Sequence, residues 1–144
     1  MKIIIGLIGV MCLLSACTKN ESTPTAPVTL STTDTALVGS NSIVLVMGNF
    51  INGVHPTSGK AAWHKNGSSQ TLLLSNFSSD AGPDLKVYLS KDLAASSFIS
   101  LGELKSTTGN QTYTIPNSAS TADYKYVLIW CQRFTVLFGS ANIK

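Results

Sequence analysis

The side chains in this sequence best suited to redox or metal chemistry are Cys131, His55 and His64. A reactive cysteine needs solvent access and a lowered pKa, usually from a nearby cation or imidazole. Arg133 is two residues from Cys131 and lies on the same side of a regular strand. A free cysteine is also among the most often buried side chains and packs as a small hydrophobe. The sequence therefore leaves two interpretations of Cys131 open, a reactive centre and an inert core residue.

The spacing of the cysteines and histidines limits which redox reactions and metal sites the chain could support. Without a Cys-x-x-Cys pair there is no dithiol couple within the chain and no covalent c-type haem. One cysteine and two scattered histidines fall short of a four-ligand structural zinc site. Three hypotheses remain for Cys131: a thiolate ligand to haem or copper, a sulfenic or mixed-disulfide cycle with a redox protein partner, or no redox chemistry. A copper site would pair Cys131 with His55 or His64, and no motif specifies a cofactor.

Hydrolase, transferase and nucleic-acid-binding activities are not expected. Asp and Glu total only 7, and there is no carboxylate pair, Ser-His-Asp order or phosphate-binding glycine loop, so we expect no hydrolase or transferase. Whether the protein is an enzyme stays open, with a redox role as the remaining option. Charged residues make up 12% of the chain and form no basic stripe, so we expect no binding to nucleic acid.

The N-terminus has the pattern of a secretory signal. Lys2 precedes an apolar run from Ile3 to Leu14, and small residues follow before Cys17. The run is shorter than the roughly 20 residues of a transmembrane helix. The segment Leu14-Ser15-Ala16-Cys17 resembles the lipobox of bacterial lipoproteins. That resemblance implies cleavage before Cys17, a diacylglyceryl thioether on its sulfur, and acylation of the new amino terminus by a fatty acid such as palmitate.

A lipid on Cys17 predicts where the protein resides. Several acyl chains on one residue anchor stably, whereas a single chain holds only marginally. We therefore expect a lipid-anchored protein of the bacterial cell envelope. Thr18 is not the aspartate that retains many lipoproteins in the inner membrane, which favours the outer membrane. Of the 3 cysteines, Cys12 leaves with the leader and Cys17 carries lipid, so Cys131 is the one free thiol expected.

Composition divides the chain into three parts. Residues 1–16 are the predicted signal peptide. Residues 17–41 hold the lipidated cysteine and a Ser/Thr/Pro-rich segment that cannot bury enough apolar area to fold, so we interpret it as a flexible tether. Residues 42–144 suffice for one domain with its own core. The oligomeric state cannot be inferred from the sequence.

The domain consists of short apolar segments separated by Gly, Pro and Asn. Ile43–Met47 is β-branched and apolar, and Leu85–Leu89 alternates strictly between apolar and polar positions. Asn66-Gly67 is typical of a tight hairpin turn. Tyr124–Gly139 contains a strand that places Trp130 and Cys131 on opposite faces. With no long helical pattern, these features predict an all-β antiparallel sandwich or barrel with little helix.

Ordered signatures across the domain resemble the DM13 family. Each is weak alone, and the ordered set is specific. They are Phe50-x-x-Gly53-x-His55-x-Thr57-x-Gly59-x-Ala61, Leu74-x-x-Phe77, Gly82-Pro83-Asp84-Leu85-x-Val87-Tyr88-Leu89, Leu101-Gly102-x-Leu104-Lys105, Gly109-x-Gln111-x-Tyr113-x-Ile115-Pro116, Tyr124-x-x-Val127-x-Ile129-Trp130-Cys131 and Phe134-x-Val136-x-Phe138-Gly139-x-Ala141.

The resemblance implies a fold and a function. The fold implied is an antiparallel β-sandwich of two sheets, DOMON-like or immunoglobulin-like. The function implied is redox or electron transfer at the cysteine of the Trp-Cys motif, which is Cys131 here. The alternative is an extracytoplasmic domain that binds a ligand or partner without catalysis, with Cys131 buried.

The other motif residues have structural interpretations. Gly82, Pro83 and Asp84 are expected to fix a turn, in which Asp84 bonds its own backbone. His55 is expected to hydrogen-bond its loop, and Trp130 to be a core aromatic.

Overall fold

The computed structural model describes residues 32–144, which form one short helix and eight strands. Strands hold 57% of these residues and the helix only 7, so the predicted all-β antiparallel class with little helix is confirmed. The elements are α1 (Thr32–Val38), β1 (Ile43–Asn52), β2 (Thr57–Asn66), β3 (Ser69–Ser79), β4 (Leu85–Ser90), β5 (Phe98–Glu103), β6 (Thr108–Ile115), β7 (Tyr126–Cys131) and β8 (Val136–Asn142).

The eight strands form one continuous sheet in the order β5-β4-β7-β8-β1-β2-β3-β6. Strand β1 joins its two halves: Ile43 to Asn49 pair with β2, and Phe50 to Asn52 pair with β8. The outer strands β5 and β6 lie against each other, which makes the sheet a nearly closed barrel. The two-sheet, DOMON-like arrangement is not confirmed.

The barrel has two distinct ends because every neighbouring pair of strands is antiparallel. The loops 53–56, 80–84, 104–107 and 132–135 lie at one end, which we call the motif end. The turns 67–68, 91–97 and 116–125 lie at the opposite end. The motif end therefore collects residues from four separate parts of the sequence.

The interior is filled by the alternating side chains of the strands. Leu85, Val87 and Leu89 of β4 all belong to the core, as their alternation predicts. The inward positions of β7 are Val127, Ile129 and Cys131. The outward positions of β7, which include Trp130, lie on the other face of the sheet.

The tight hairpin turn lies one residue further along the chain than the Asn66-Gly67 dipeptide predicts. Asn66 pairs with Ser69 as the last step of the β2–β3 ladder, so the two turn residues are Gly67 and Ser68. Gly67 has φ of +58°, a left-handed conformation that glycine adopts without strain.

Helix α1 occupies the last part of the predicted tether. It contacts β3 and β6, and Val38 at its end is buried. Residues 32–41 of the predicted tether are thus part of the described structure, and Val38 packs onto the domain that was predicted to begin at residue 42. The predicted leader (1–16), Cys17 and the tether up to residue 31 lie outside the described residues. Among residues 32–144, no helix has the length and apolar character needed to span a membrane.

Candidate functional site

Cys131 is the last residue of β7 and lies at the motif end of the barrel. Its ladder partners are Leu85 of β4 on one side and Val136 of β8 on the other. The residue is 0% exposed and belongs to the apolar core. A thiol in this position cannot contact solvent or a partner protein unless the motif end opens.

Trp130 lies on the outer face of the sheet, only partly buried. It is therefore not a member of the core, contrary to expectation, because alternation along β7 sends it away from the side that Cys131 occupies. Tyr88 lies on the same face, with ring centroids 6.5 Å from Trp130 and 4.0 Å from Phe98. Three aromatic rings thus cross strands β5, β4 and β7 diagonally on the outside of the barrel.

The Gly82-Pro83-Asp84 loop enters β4 beside Cys131. Its backbone is fixed where Gln132 N donates to Asp84 O at 2.9 Å, which joins the loop to the residue after Cys131. A Cβ at Gly82 would stand 2.8 Å from Phe138 Cζ and from Leu85 Cδ2. A side chain at position 82 would therefore require the ends of the Phe138 and Leu85 side chains to shift.

Asp84 also takes part in a charged cluster. Lys86 Nζ lies 2.9 Å from Asp84 Oδ1 and 3.1 Å from Glu103 Oε1. Hydrogen bonds to Asp84 and then to Glu103 raise the pKa of Lys86, so the amine remains charged. Asp84 and Glu103 line a cavity of about 230 Å³ together with Gly82, Pro83 and Leu104. The predicted turn residues therefore also form one wall of a small polar cleft.

His55 projects from the β1–β2 loop at the motif end. Its ring stacks on Phe138 with centroids 3.9 Å apart and an interplanar angle of 27°. Its Nδ1 lies 3.1 Å from Asp80 Oδ2, in the loop that leads to Gly82. His55 thus links two loops through a side chain, rather than bonding only its own loop as expected.

His64 lies toward the opposite end of the barrel and does not join Cys131. It pairs with Val44 and Thr71 and is 1% exposed. Its Nδ1 is 3.2 Å from Ser42 Oγ, and its Nε2 is buried without a hydrogen-bond partner. Burial lowers the pKa of His64, and the nearby Asp34 carboxylate partly opposes that shift.

The donor set around Cys131 does not fit haem or copper. In the described part of the chain, no group of three or more His, Cys, Asp or Glu residues could hold a metal ion. The thiol is enclosed by apolar side chains, His64 is at the other end, and His55 is engaged by Asp80 and Phe138. Cys131 is the only free cysteine among residues 32–144.

The structure therefore brings together six of the residues singled out by sequence. They are His55, Gly82, Pro83, Asp84, Trp130 and Cys131, which all lie at the motif end, drawn from three separate segments. The family model described as Electron transfer DM13 matches residues 49–143. The chain belongs to the DM13 family. No curated protein and no solved structure matches the chain.

The DM13 match covers every strand except the first residues of β1, so the motif end lies wholly within the family region. Sequence reasoning missed the role of Phe138, whose ring lies against the glycine and stacks on the histidine of the motifs. Phe138 belongs to one of the family signatures, yet a single aromatic in an apolar run carries no signal of its role. Only the folded chain shows that His55 and Gly82 meet the same ring.

Proposed function

We propose that this protein is a lipid-anchored lipoprotein of the bacterial cell envelope, at the outer membrane, whose DM13 domain acts in electron transfer with the Cys131 sulfur as the reacting atom. The family match carries the electron-transfer part. The Leu14-Ser15-Ala16-Cys17 motif supports the anchor. Cys131 is the candidate centre because it stands at the family's Trp-Cys position and is the one cysteine left after processing.

Because Cys131 is the one free thiol expected, the chain has no second thiol with which it could form a disulfide. This favours thiol–disulfide exchange between Cys131 and a disulfide of a partner protein. In that reaction the Cys131 thiolate attacks one sulfur of the disulfide, a mixed disulfide forms, and the second partner sulfur leaves as a thiolate. The partner's disulfide is the oxidant and Cys131 supplies the electron pair. Because the thiol is fully buried, this step requires the loops of the motif end to move apart first.

A second candidate function is favoured by that burial. In this function the domain binds a ligand or partner through its loops. Cys131, which is 0% exposed, then serves only as a residue of the packed core. The cleft beside Gly82, Pro83 and Asp84 offers two carboxylates and an apolar wall for such a ligand. The likeness to two-sheet DOMON domains belongs to the same proposal. It is supported by the change of partner along β1, which separates the pairing into two groups of strands.

The test uses the full-length, membrane-extracted protein, in which a thioether at Cys17 leaves Cys131 as the free thiol. Its visible spectrum and metal content are recorded, and Cys131 is titrated with a disulfide reagent at neutral pH, with and without denaturant. Slow but complete exchange in the native protein supports the redox proposal. Reaction only after unfolding contradicts it and favours the binding domain. A haem band or bound copper would contradict the exchange chemistry.

The anchor has its own test. Replacing Cys17 with Ser removes the sulfur that would carry the diacylglyceryl group, so the variant should be misprocessed or released from the membrane fraction. Unchanged membrane attachment of Cys17→Ser would show that the lipobox interpretation is wrong.

A further inference from the structure

Part of the outer face of the sheet is buried by the chain that precedes β1. Ala62 and Leu73 are buried, yet both lie outside the interior core, because the residues on either side of each point into the barrel. Helix α1 contacts β3 and β6 over this face, and Val38 at its end is buried too. Residues 32–42, which are α1 and the turn after it, therefore cover this part of the sheet, and we call them the strap.

The turn of the strap lies against the end of β2. Gly39 N donates to Thr35 O at 2.9 Å, and Ser42 N donates to Gly39 O at 3.2 Å, so α1 ends in a tight turn. Gly39 has φ of +89°, and a Cβ there would stand 2.6 Å from Asn66 Nδ2. Glycine allows both the left-handed backbone and the close approach. The strap is thereby fixed beside the last residues of β2.

His64 lies in β2 beside this turn. It points to the outer face, since Trp63 before it belongs to the interior core, and it is almost fully buried. Its Nδ1 is 3.2 Å from Ser42 Oγ, so the strap contacts the imidazole directly. Within residues 32–144 its Nε2 is buried and has no hydrogen-bond partner. Buried polar atoms without a partner are rare in native proteins and need an explanation.

The enclosed site accommodates a neutral imidazole but not an imidazolium. When Nδ1 donates to Ser42 Oγ, neutral His64 presents an unprotonated acceptor at Nε2. Protonation puts an N–H and a positive charge at that atom, and a buried charged donor without an acceptor is costly. Burial accordingly lowers the pKa of His64.

The charged group that acts on the ring does not remove this cost. Val44 and Thr71, the neighbours of His64 in β1 and β3, are uncharged. In the strap, the Asp34 carboxylate raises the pKa of His64, but by less than burial lowers it. Asp34 is also engaged by β6, since Asn110 Nδ2 donates to its Oδ1 at 3.1 Å. Asp34 therefore limits the effect of burial without cancelling it.

The strap is the part of this enclosure that can move. Strand β2 is paired on both sides, with β1 and β3, so His64 cannot turn outward without breaking two ladders. The strap belongs to no ladder of the sheet, and its contacts with the sheet include those of Val38, Ser42 and Asp34. Local opening occurs where few buried contacts must break. Water therefore reaches a protonated His64 when the strap lifts.

We propose that the strap is a pH-sensitive latch on the outer face of the barrel. It stays closed while His64 is neutral and lifts when the ring takes up a proton from solvent, which exposes Ala62 and Leu73 and leaves the interior core intact. The eleven freed residues reach at most about 36 Å when extended. For a chain attached at Cys17, the barrel can then stand farther from the membrane; that consequence rests on the proposed anchor, whereas the latch does not.

The direction of the pH dependence follows from the two forms of the site. In the open form His64 is solvated and has its ordinary pKa of 6.5, whereas in the closed form burial lowers the pKa. The open form therefore binds the proton more tightly. Below pH 6.5 the ratio of open to closed strap rises by up to about tenfold for each unit that the pH falls, until the closed form is protonated as well.

Amide hydrogen exchange measured by mass spectrometry tests the latch. The full-length protein is labelled in detergent at pH 7, 6 and 5, and each exchange rate is compared with that of the unfolded chain at the same pH, which gives a protection factor. Peptides from residues 32–42 report the strap, and peptides from β7 report the interior of the barrel in the same sample. Three variants are compared with the parent protein: His64→Leu, Asp34→Asn and His55→Gln.

The protection factor of the strap should fall several-fold between pH 7 and 5 and stay well below that of β7. His64→Leu should abolish this fall, because leucine fills the site without titrating. Asp34→Asn should enlarge it, since the carboxylate that opposes burial is gone while the amide oxygen can still accept from Asn110. His55→Gln is the matched control, because it removes the imidazole at the motif end, and it should retain the fall.

A strap whose protection does not change with pH, or falls equally in His64→Leu, would overturn the proposal. Equal protection factors for the strap and β7 at pH 5 would overturn it as well, because His64 would then gain its proton only when the whole domain unfolds. If His64→Leu does not fold, Asp34→Asn decides: a fall no larger than that of the parent protein contradicts the role of His64. None of these outcomes depends on Cys17 or Cys131, so the latch and the proposed function fail separately.

Discussion

The ring of His55 stacks on the ring of Phe138 at 3.9 Å, and the same phenyl ring lies against the backbone of Gly82. Phe138 is therefore held on one side by the β1–β2 loop and on the other by the β3–β4 loop. Leu85, the other side chain against Gly82, is the ladder partner of Cys131. The two loops and the phenyl ring close the end of the barrel at which the thiol lies.

Replacing Phe138 with Ala should open this end and increase the rate at which Cys131 reacts with a thiol reagent in the native protein. The lost packing should also lower the free energy of unfolding by about 3–5 kcal/mol. Phe77→Ala is the matched control, because Phe77 is similarly buried but lies in β3, which does not pair with β7. If Phe138→Ala and Phe77→Ala are equally stable and Cys131 is labelled at the same rate in both, Phe138 does not control access of the reagent to the thiol.

Replacing Gly82 with Ala should destabilise the domain by about 1–3 kcal/mol, since the added methyl group overlaps the Phe138 and Leu85 side chains. Chemical denaturation measures the change. Ala81→Ser, at an exposed neighbouring position of the same loop, should have little effect. If both variants unfold at the same denaturant concentration, the close approach at Gly82 has no energetic importance.

Local pattern predicted the strands well, because alternation in segments such as Leu85–Leu89 depends only on which side of one strand is apolar. Alternation also placed Trp130 and Cys131 on opposite faces of β7, yet both faces are apolar, so the sequence did not reveal which residue is in the core. The pairing of β1 with both β2 and β8, and the contact of His55 with Phe138, join residues far apart in the chain. No local pattern contains that information.

The two tryptophans should differ in their contribution to stability. Trp63 is fully buried, and its Nε1 donates to Gln70 Oε1 at 2.8 Å, so Trp63→Ala should cost about 3–5 kcal/mol. Trp130 is partly exposed and packs beside Tyr88, so Trp130→Ala should cost only about 1–3 kcal/mol. Denaturant titration of both variants measures the difference. A larger loss for Trp130 would mean that the outer face is covered by something other than solvent.

The stability of the domain should decrease as the pH falls from 7 to 5, because burial lowers the pKa of His64 below its ordinary value of 6.5. Below that value the unfolded chain binds a proton that the folded chain resists, so the free energy of unfolding falls with pH until His64 is protonated in the folded state as well. Most carboxylates titrate at lower pH and add little within this window. The nearby Asp34 carboxylate makes the decrease smaller than burial alone would give.

Denaturation curves between pH 7 and 5 measure this dependence, and His64→Leu should flatten it, because leucine fills the same buried site without a titrating group. His55→Gln is the control, since it removes an exposed imidazole at the motif end and leaves the buried site of His64 intact. A slope that disappears in His55→Gln and persists in His64→Leu would reverse the assignment.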